Sequence, residues 1–420
     1  MERRPDLVLA NVRIPGGRKA DVAIRDGRVI HTGAVTSGIQ TIDCSGLFVL
    51  PAAVDAHVHM RGGKQSAKED WKTGSASALA GGVTVVVDQP NTIPPLTKPG
   101  AFLSRVHEAK EHSLCSYAIN SGVTPGTPIE EMWAQGAMAF GEIFYAPSSY
   151  SDALDSGDLS RALGRIRALG GLATIHAEGI VPGKDTGLAA HDALRSGLHE
   201  KEAVIAVQAG NTDGCRLHFC HMSTAAAIEA AKGTVEVTPH HLFLSREKTC
   251  DENALFKVNP PVRSEKERER LWTLWDRIDI IASDHAPHTK AEKTLPFPDA
   301  PSGVPGVETM VPLLMAAVLD RKIMLSDLIR KTAAAPAALL GIPPSGFSPK
   351  DRADFALYPD AAVIIEPEML HSRCGWTPFE GFRAVFPSTV ILGGDVVYKE
   401  GDFFPANPTW FTGKGYVPPS

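Results

Sequence analysis

The sequence predicts an α/β protein: a (β/α)₈ barrel carrying a small β domain built from both ends of the chain. Three observations predict it. Eight short, apolar, β-rich runs follow one another through the centre, and helix-like segments separate most of them. Repeated β–α alternation with buried strands marks a parallel sheet, and eight such units close a barrel. The two ends read instead as hairpins, with Asp26-Gly27 and Gly393-Gly394 as two-residue turn signals. The 420 residues, 43% hydrophobic and 21% charged, have an ordinary globular balance. Length alone would suggest two or three domains, but a barrel of ~250 residues is commonly one unit.

The elements follow in order. DLVLANVRI (6–14) and DVAIRDGRVIHTG (21–33) are the N-terminal strands. The barrel runs are FVLPAAVDAHVH (48–59), VTVVVDQPN (83–91), SYAINSGV (116–123), GAMAFGEIF (136–144), LATIHAEG (172–179), RLHFCHMS (216–223), TVEVTPHHLFL (234–244) and IDIIASDHAPH (278–288). SAKEDWKTGSASALA, LSRALGRIRALG, HEKEAVIAVQA and SEKERERLWTLWDRI have helical patterns, and MVPLLMAAVL (310–319) reads as a buried helix. ADFALYP and STVILGGDVVYKEG return to strands, before a Pro- and Gly-rich tail (403–420). The expected division is residues 1–48 and 350–420 for the β domain and 49–349 for the barrel.

Composition excludes several classes. The net charge is −6, with no basic block, which argues against nucleic-acid binding. The first residues lack the apolar core of a signal peptide, and no uncharged apolar run approaches the ~18–20 residues that span a bilayer. Six cysteines lie scattered without CxxC pairs, the pattern of reduced thiols in a cytoplasmic protein.

Polar residues gather at the strand ends. The first run closes with Asp55-Ala-His57-Val-His59-Met-Arg61, where alternation turns 57, 59 and 61 the same way. His176 ends the fifth, His221 the sixth, and Asp284-His285-Ala-Pro-His288 the eighth. The C-terminal ends of the strands are the catalytic face of such a barrel. Imidazoles with carboxylates suit Zn²⁺ and similar divalent ions. His218, His240 and His241 compete with these histidines, and spacing alone does not choose. One further residue stands out: Glu142 is the single charge in GAMAFGEIFYA, where a buried carboxylate needs a partner.

Read in order, DAHVHMR, KEDWKTGSASALAGGVT, QPNTIPP, LHFCHMST, VTPHHLFL, VNPPVR, ASDHAPH and APSGVPGVET resemble the dihydroorotases of the amidohydrolase superfamily. GWTPFEG (375–381) fits the small β-sandwich domain of that family. The resemblance implies a cytoplasmic zinc enzyme with two divalent ions per chain. It would interconvert dihydroorotate and N-carbamoyl-aspartate in de novo pyrimidine synthesis. Its partner is a small-molecule substrate, without nucleic acid or membrane. A homodimer, or association with other enzymes of the pathway, is the assembly implied.

By the same resemblance His57 and His59 bind one metal, His176 and His221 the second, and Asp284 touches a metal and shuttles the proton. Arg61, Asn91, Asn259 and His288 hold the substrate. Two ions would activate water and polarise the amide carbonyl, and Arg61 suits a planar grip on a carboxylate. APSGVPG is a candidate for the segment that covers the substrate.

The chain departs from the family at one position. Typical members carry a carboxylated lysine on the fourth strand, bridging the metals, whereas this chain has no lysine between Lys110 and Lys184. The family spacing to Phe144 puts Glu142 there, and counting from Phe140 puts Gly141 there; a carboxylate suits a two-metal cluster and glycine offers it nothing. Glu142 is therefore the expected bridging ligand, and pairing with an Arg or Lys is the alternative. Two other functions stay open: another cyclic amidase, such as an allantoinase or hydantoinase, and an inactive dihydroorotase-like scaffold.

Overall fold

The computed structural model describes residues 4–14, 17–35, 38–147 and 153–418; the end of the expected tail, 419–420, lies outside the described residues. β1 (Leu7–Arg13), β2 (Lys19–Arg25), β3 (Arg28–Gly33) and β4 (Gln40–Asp43) form one sheet in the order β3-β2-β1-β4. Arg25 pairs with Arg28 across the Asp26-Gly27 turn. Both turn residues have positive φ, 50° and 71°, as a tight hairpin matched to strand twist requires.

β5 (Leu47–Pro51) is the first difference from the sequence reading. It opens the run 48–59 but pairs antiparallel with a C-terminal strand. Only the second half of that run is the first barrel strand, β6 (Ala53–Val58). The remaining barrel strands are β7 (Val83–Asp88), β8 (Ser116–Ile119), β9 (Phe140–Phe144), β10 (Leu172–His176), β11 (Arg216–Phe219), β12 (Thr234–Val237) and β13 (Ile280–Ile281). β6 to β8 form one parallel run and β9 to β13 another. Single parallel bridges, Ser121 to Phe140 and Val58 to His285, join the two runs and close the barrel. Every residue of β6, β7 and β8 is buried, because helices cover the outer face and side chains fill the inner one.

The outer helices start at caps the sequence supplies. The side chains of Asp70, Asp155, Ser196 and Ser264 each accept a backbone N–H at the start of Trp71–Ala80, Ser156–Ala168, Gly197–Gly210 and Glu265–Thr273. Ser156–Ala168 buries Leu159, Ala162, Leu163 and Ile166, one stripe at helical spacing. Met310–Leu319 is the buried helix expected. The run 234–244 is not one strand. β12 stops at Val237, and Thr238 caps a short helix, Pro239–Phe243, that begins with a proline.

The C-terminal strands are β14 (Phe355–Pro359), β15 (Val363–Ile364), β16 (Arg383–Ala384), β17 (Thr389–Leu392), β18 (Asp395–Lys399) and β19 (Asp402–Phe403). The sheet order β19-β18-β17-β14-β5 ties the end of the chain to the segment just before the barrel. Gly393 and Gly394, at φ 58° and 84°, make the second tight hairpin, with Leu392 opposite Asp395. One apolar core joins Leu9, Val22 and Ile24 to Val49, Phe355, Leu357 and Ile391, so sheets from both chain ends pack face to face. No helix among the described residues is long and apolar enough to cross a membrane.

Candidate active site

β6 carries His57, and the chain just past its end carries His59 and Arg61. That segment is pinned to the next strand. The Met60 N–H donates to Asp88 Oδ1 at 2.8 Å, and the other oxygen of Asp88 accepts from Arg105 Nε at 2.8 Å. β9 carries Glu142, buried at 2% exposure. A Cβ on Gly141 would lie 2.1 Å from the Thr174 carbonyl oxygen, and its φ is 136°, so only glycine lets β9 approach β10 this closely. Gly141→Ala is expected to cost roughly 1–3 kcal/mol or more of stability, read by calorimetric unfolding.

Glu142 spans two pairs of histidines. Its Oε1 lies 2.8 Å from His221 Nε2 and 3.2 Å from His176 Nδ1. Its Oε2 lies 3.5 Å from His57 Nε2 and 3.8 Å from His59 Nε2. Asp284 Oδ1 closes the second side, 3.2 Å from His59 Nε2 and 3.6 Å from His57 Nε2. The partners of this carboxylate thus include four imidazoles, two from the end of β6, one from β10 and one just past β11.

A further layer aims the rings. His57 Nδ1 donates to Glu236 Oε1 at 3.1 Å, which turns Nε2 inward; that buried nitrogen has no hydrogen-bond partner among the described residues. Glu236 also accepts the His221 backbone N–H at 3.0 Å and faces His218 Nε2 at 3.0 Å. His176 Nε2 lies 3.1 Å from Glu178 Oε2, which Arg195 Nη1 also reaches at 3.1 Å. Such outer carboxylates orient ligating imidazoles and make them more basic.

The electrostatics follow. Burial would raise the Glu142 carboxyl, yet His57, His176 and His221 hold it well below the usual range. Burial and histidines oppose each other in the same way at Asp284, which is also held low. Against burial, Glu142 and Glu178 push the His176 imidazole up to about 9, and Glu142 and Glu236 raise His57 well above its ordinary value. Four buried carboxylates among imidazoles are stable only with positive charge between them. The ligand atoms of His57, Glu142 and His221, and those of His57, His59 and Asp284, lie within 4.8 Å of one another. This oxygen-and-imidazole set fits divalent metal ions. Cys220 approaches His57 and Glu236, but burial pushes its thiol up to about 12, in keeping with a packing role.

One cavity of about 410 Å³ gathers the expected residues: His59, Arg61, Asn91, Glu142, His176, His221, Asn259, Asp284 and His288 all line it. His57 lies just behind this surface, fully buried. Pro301, Ser302 and Gly303 of APSGVPG form part of the wall. Two of the three competing histidines are turned elsewhere; the third, His240, is buried with Asp284, His221 and His57 among its electrostatic neighbours. His218 is held by Glu236 and Thr234, and His241 by Thr238 and the Pro260 carbonyl. Sequence reasoning missed Glu236, Glu178 and Lys68. Glu236 offered a signal, being the lone charge in TVEVT as Glu142 is in its strand.

The fold and the site together define a barrel hydrolase. The profile of the Amidohydrolase family matches residues 48–397, and the chain belongs to that family. The dihydroorotase of Methanosarcina acetivorans is 38% identical, covering 94% of this chain and 92% of its own length. That of Halobacterium salinarum is 39% identical, covering 94% and 96%. Relatives this similar over nearly the whole chain place it in the dihydroorotase branch. Among solved structures, an L-hydantoinase (dihydropyrimidinase) from Arthrobacter aurescens superposes with a TM-score of 0.87 at 27% identity, covering 95% of this chain and 97% of that one. A D-hydantoinase from a Thermus species, at 23% identity, gives 0.85 and shares the fold.

Proposed function

We propose that the chain hydrolyses the cyclic amide of (S)-dihydroorotate, reversibly, to N-carbamoyl-L-aspartate, as a step of de novo pyrimidine synthesis. The observation that carries the substrate is Arg61. Its Nε donates to the Pro287 carbonyl at 3.2 Å, and the rest of the guanidinium faces the cavity. Burial lowers it to about 10, so it stays charged at neutral pH. A fixed, buried cation on the wall favours an acidic ring over the uncharged rings of hydantoinases.

His57, His59, Glu142 and Asp284 would hold one ion, and Glu142, His176 and His221 the other; zinc suits this donor set. Bound there, the ions supply an activated water and polarise the amide carbonyl. Arg61 and His288 hold the substrate carboxylate, and Asn91 and Asn259 hold the ring. Asp284 takes the proton of the attacking water and returns it to the ring nitrogen as the carbon–nitrogen bond breaks. In the synthetic direction it removes the same proton from nitrogen. The six free cysteines, with Cys250 alone exposed, support a reducing, cytoplasmic setting.

Metal analysis with parallel assays on dihydroorotate and hydantoin tests this reading. Turnover of dihydroorotate is expected; a preference for hydantoin would favour the other cyclic amidases, and no turnover of either by the metal-loaded protein would favour the scaffold. Arg61→Met is expected to weaken dihydroorotate binding by about 2–5 kcal/mol while hydantoin kinetics change little. Unchanged KM for dihydroorotate would remove the acidic ring from the assignment.

A further inference from the structure

We propose that Lys68 is a positioning residue that fixes which nitrogen of His288 carries the proton, and so keeps the single N–H of that ring on Nε2, beside Arg61, where a substrate carboxylate can share it with the Ser302 carbonyl. The proposal rests on the reading of the cavity as a binder of an anionic ring. Lys68 lies in KEDWKTG, between β6 and the helix Trp71–Ala80, and lines the same cavity as Arg61 and His288.

Lys68 Nζ stands 3.1 Å from His288 Nδ1. An ammonium group only donates, so Nδ1 must present its lone pair. Glu292 Oε1, 2.9 Å from Nζ, holds the Lys68 side chain in place, while its Oε2 stands 3.9 Å from Nδ1, beyond hydrogen-bond reach. Glu292 is itself fixed by a capping box with Thr289 at the start of Lys290–Lys293. On the far side of the ring, Nε2 lies 3.0 Å from the Ser302 carbonyl oxygen, which only accepts. Both contacts demand the same neutral ring, with its proton on Nε2. Burial, then Arg61, then Lys68 hold the imidazole well below its ordinary range, which keeps it neutral. The main chain at this residue is held as well, because Trp376 Nε1 donates to the His288 backbone carbonyl at 2.7 Å.

Arg61 Nη2 lies 3.3 Å from the same Nε2. With hydrogen on both nitrogens they do not bond each other; an incoming carboxylate can take one hydrogen from Arg61 and draw the Nε2–H from the Ser302 carbonyl into a shared hydrogen bond. With Lys68 gone, the Nδ1–H tautomer becomes accessible. Nε2 would then meet an incoming carboxylate with a lone pair, and binding would weaken although Arg61 and His288 both remain.

The test compares wild type with Lys68→Met, Lys68→Arg, His288→Asn and the double variant Lys68→Met/His288→Asn, all metal-loaded. Long-range nitrogen–proton NMR spectra of histidine-labelled protein report the tautomer directly, His288 being assigned by its loss in His288→Asn. The Nε2–H pattern is expected in wild type and Lys68→Arg, and an Nδ1–H or mixed pattern in Lys68→Met. KM for dihydroorotate should rise roughly tenfold or more in Lys68→Met, with kcat within about twofold of wild type and KM for hydantoin unchanged. The double variant should cost no more than His288→Asn alone, since Lys68 acts through that ring. An Nδ1–H ring in wild type, an unchanged tautomer in Lys68→Met, or additive costs would overturn the proposal. If wild type does not turn over dihydroorotate, the proposed function fails instead, and the tautomer measurement still decides the role of Lys68.

Discussion

Asp284→Asn is expected to retain its metal and fold and to lose ~10²–10⁴-fold or more in kcat. The substitution is nearly isosteric, and it spares the contacts that place the loop: the His59 N–H on the His285 carbonyl at 2.8 Å and the Ser283 N–H on Asp55 Oδ1 at 3.0 Å. What it removes is a proton acceptor. The carboxylate is held ionised by His59, His57 and His221 against the effect of burial, so it is ready to accept at neutral pH. An amide oxygen cannot take a proton from water and deliver it to nitrogen. The loss should fall on kcat, with KM for dihydroorotate changed far less, because the proposed binding contacts belong to Arg61 and His288. Steady-state kinetics beside metal analysis and a melting curve check this. Near-normal turnover with full metal content would take Asp284 out of the mechanism.

The strands and turns of this chain were readable because their signals are local. Asp26-Gly27 and Gly393-Gly394 demand positive φ, and both sit at two-residue turns. Alternation along one strand lets only one of Gly141 and Glu142 face the barrel interior, and only the glutamate brings a ligand there. The split at Pro51 was not readable. Nothing local distinguishes a strand that pairs with β14, some 300 residues on, from one that continues into the barrel. Arg61, His221 and Asp284 sit at φ 48°, 35° and 45° just past the strand ends, where two-residue alternation no longer fixes facing. That is why spacing alone could not separate His221 from His218. Glu178, Glu236 and Lys68 act through partners supplied by other strands and loops, and only the closed barrel brings them together.

Glu142→Ala is expected to bind roughly one metal ion fewer per chain and to lose most activity, since the second ion is left under-coordinated. The reason lies in the two oxygens of one side chain. Oε1 faces His176 and His221, and Oε2 faces His57 and His59, so a single carboxylate links both halves of the site. A carboxylated lysine would offer the same two oxygens, but it must be made from CO₂, whereas a glutamate is permanent. Apo-protein should therefore regain full activity from metal alone in CO₂-free buffer, where a lysine-dependent relative would need bicarbonate as well. Removing the carboxylate also takes a negative charge from between four imidazoles, which leaves less to balance a second cation. Metal stoichiometry by elemental analysis, titrated to saturation, separates the cases. Wild type that saturates at one ion per chain would refute the bridge, as would Glu142→Ala that holds two ions and turns over normally.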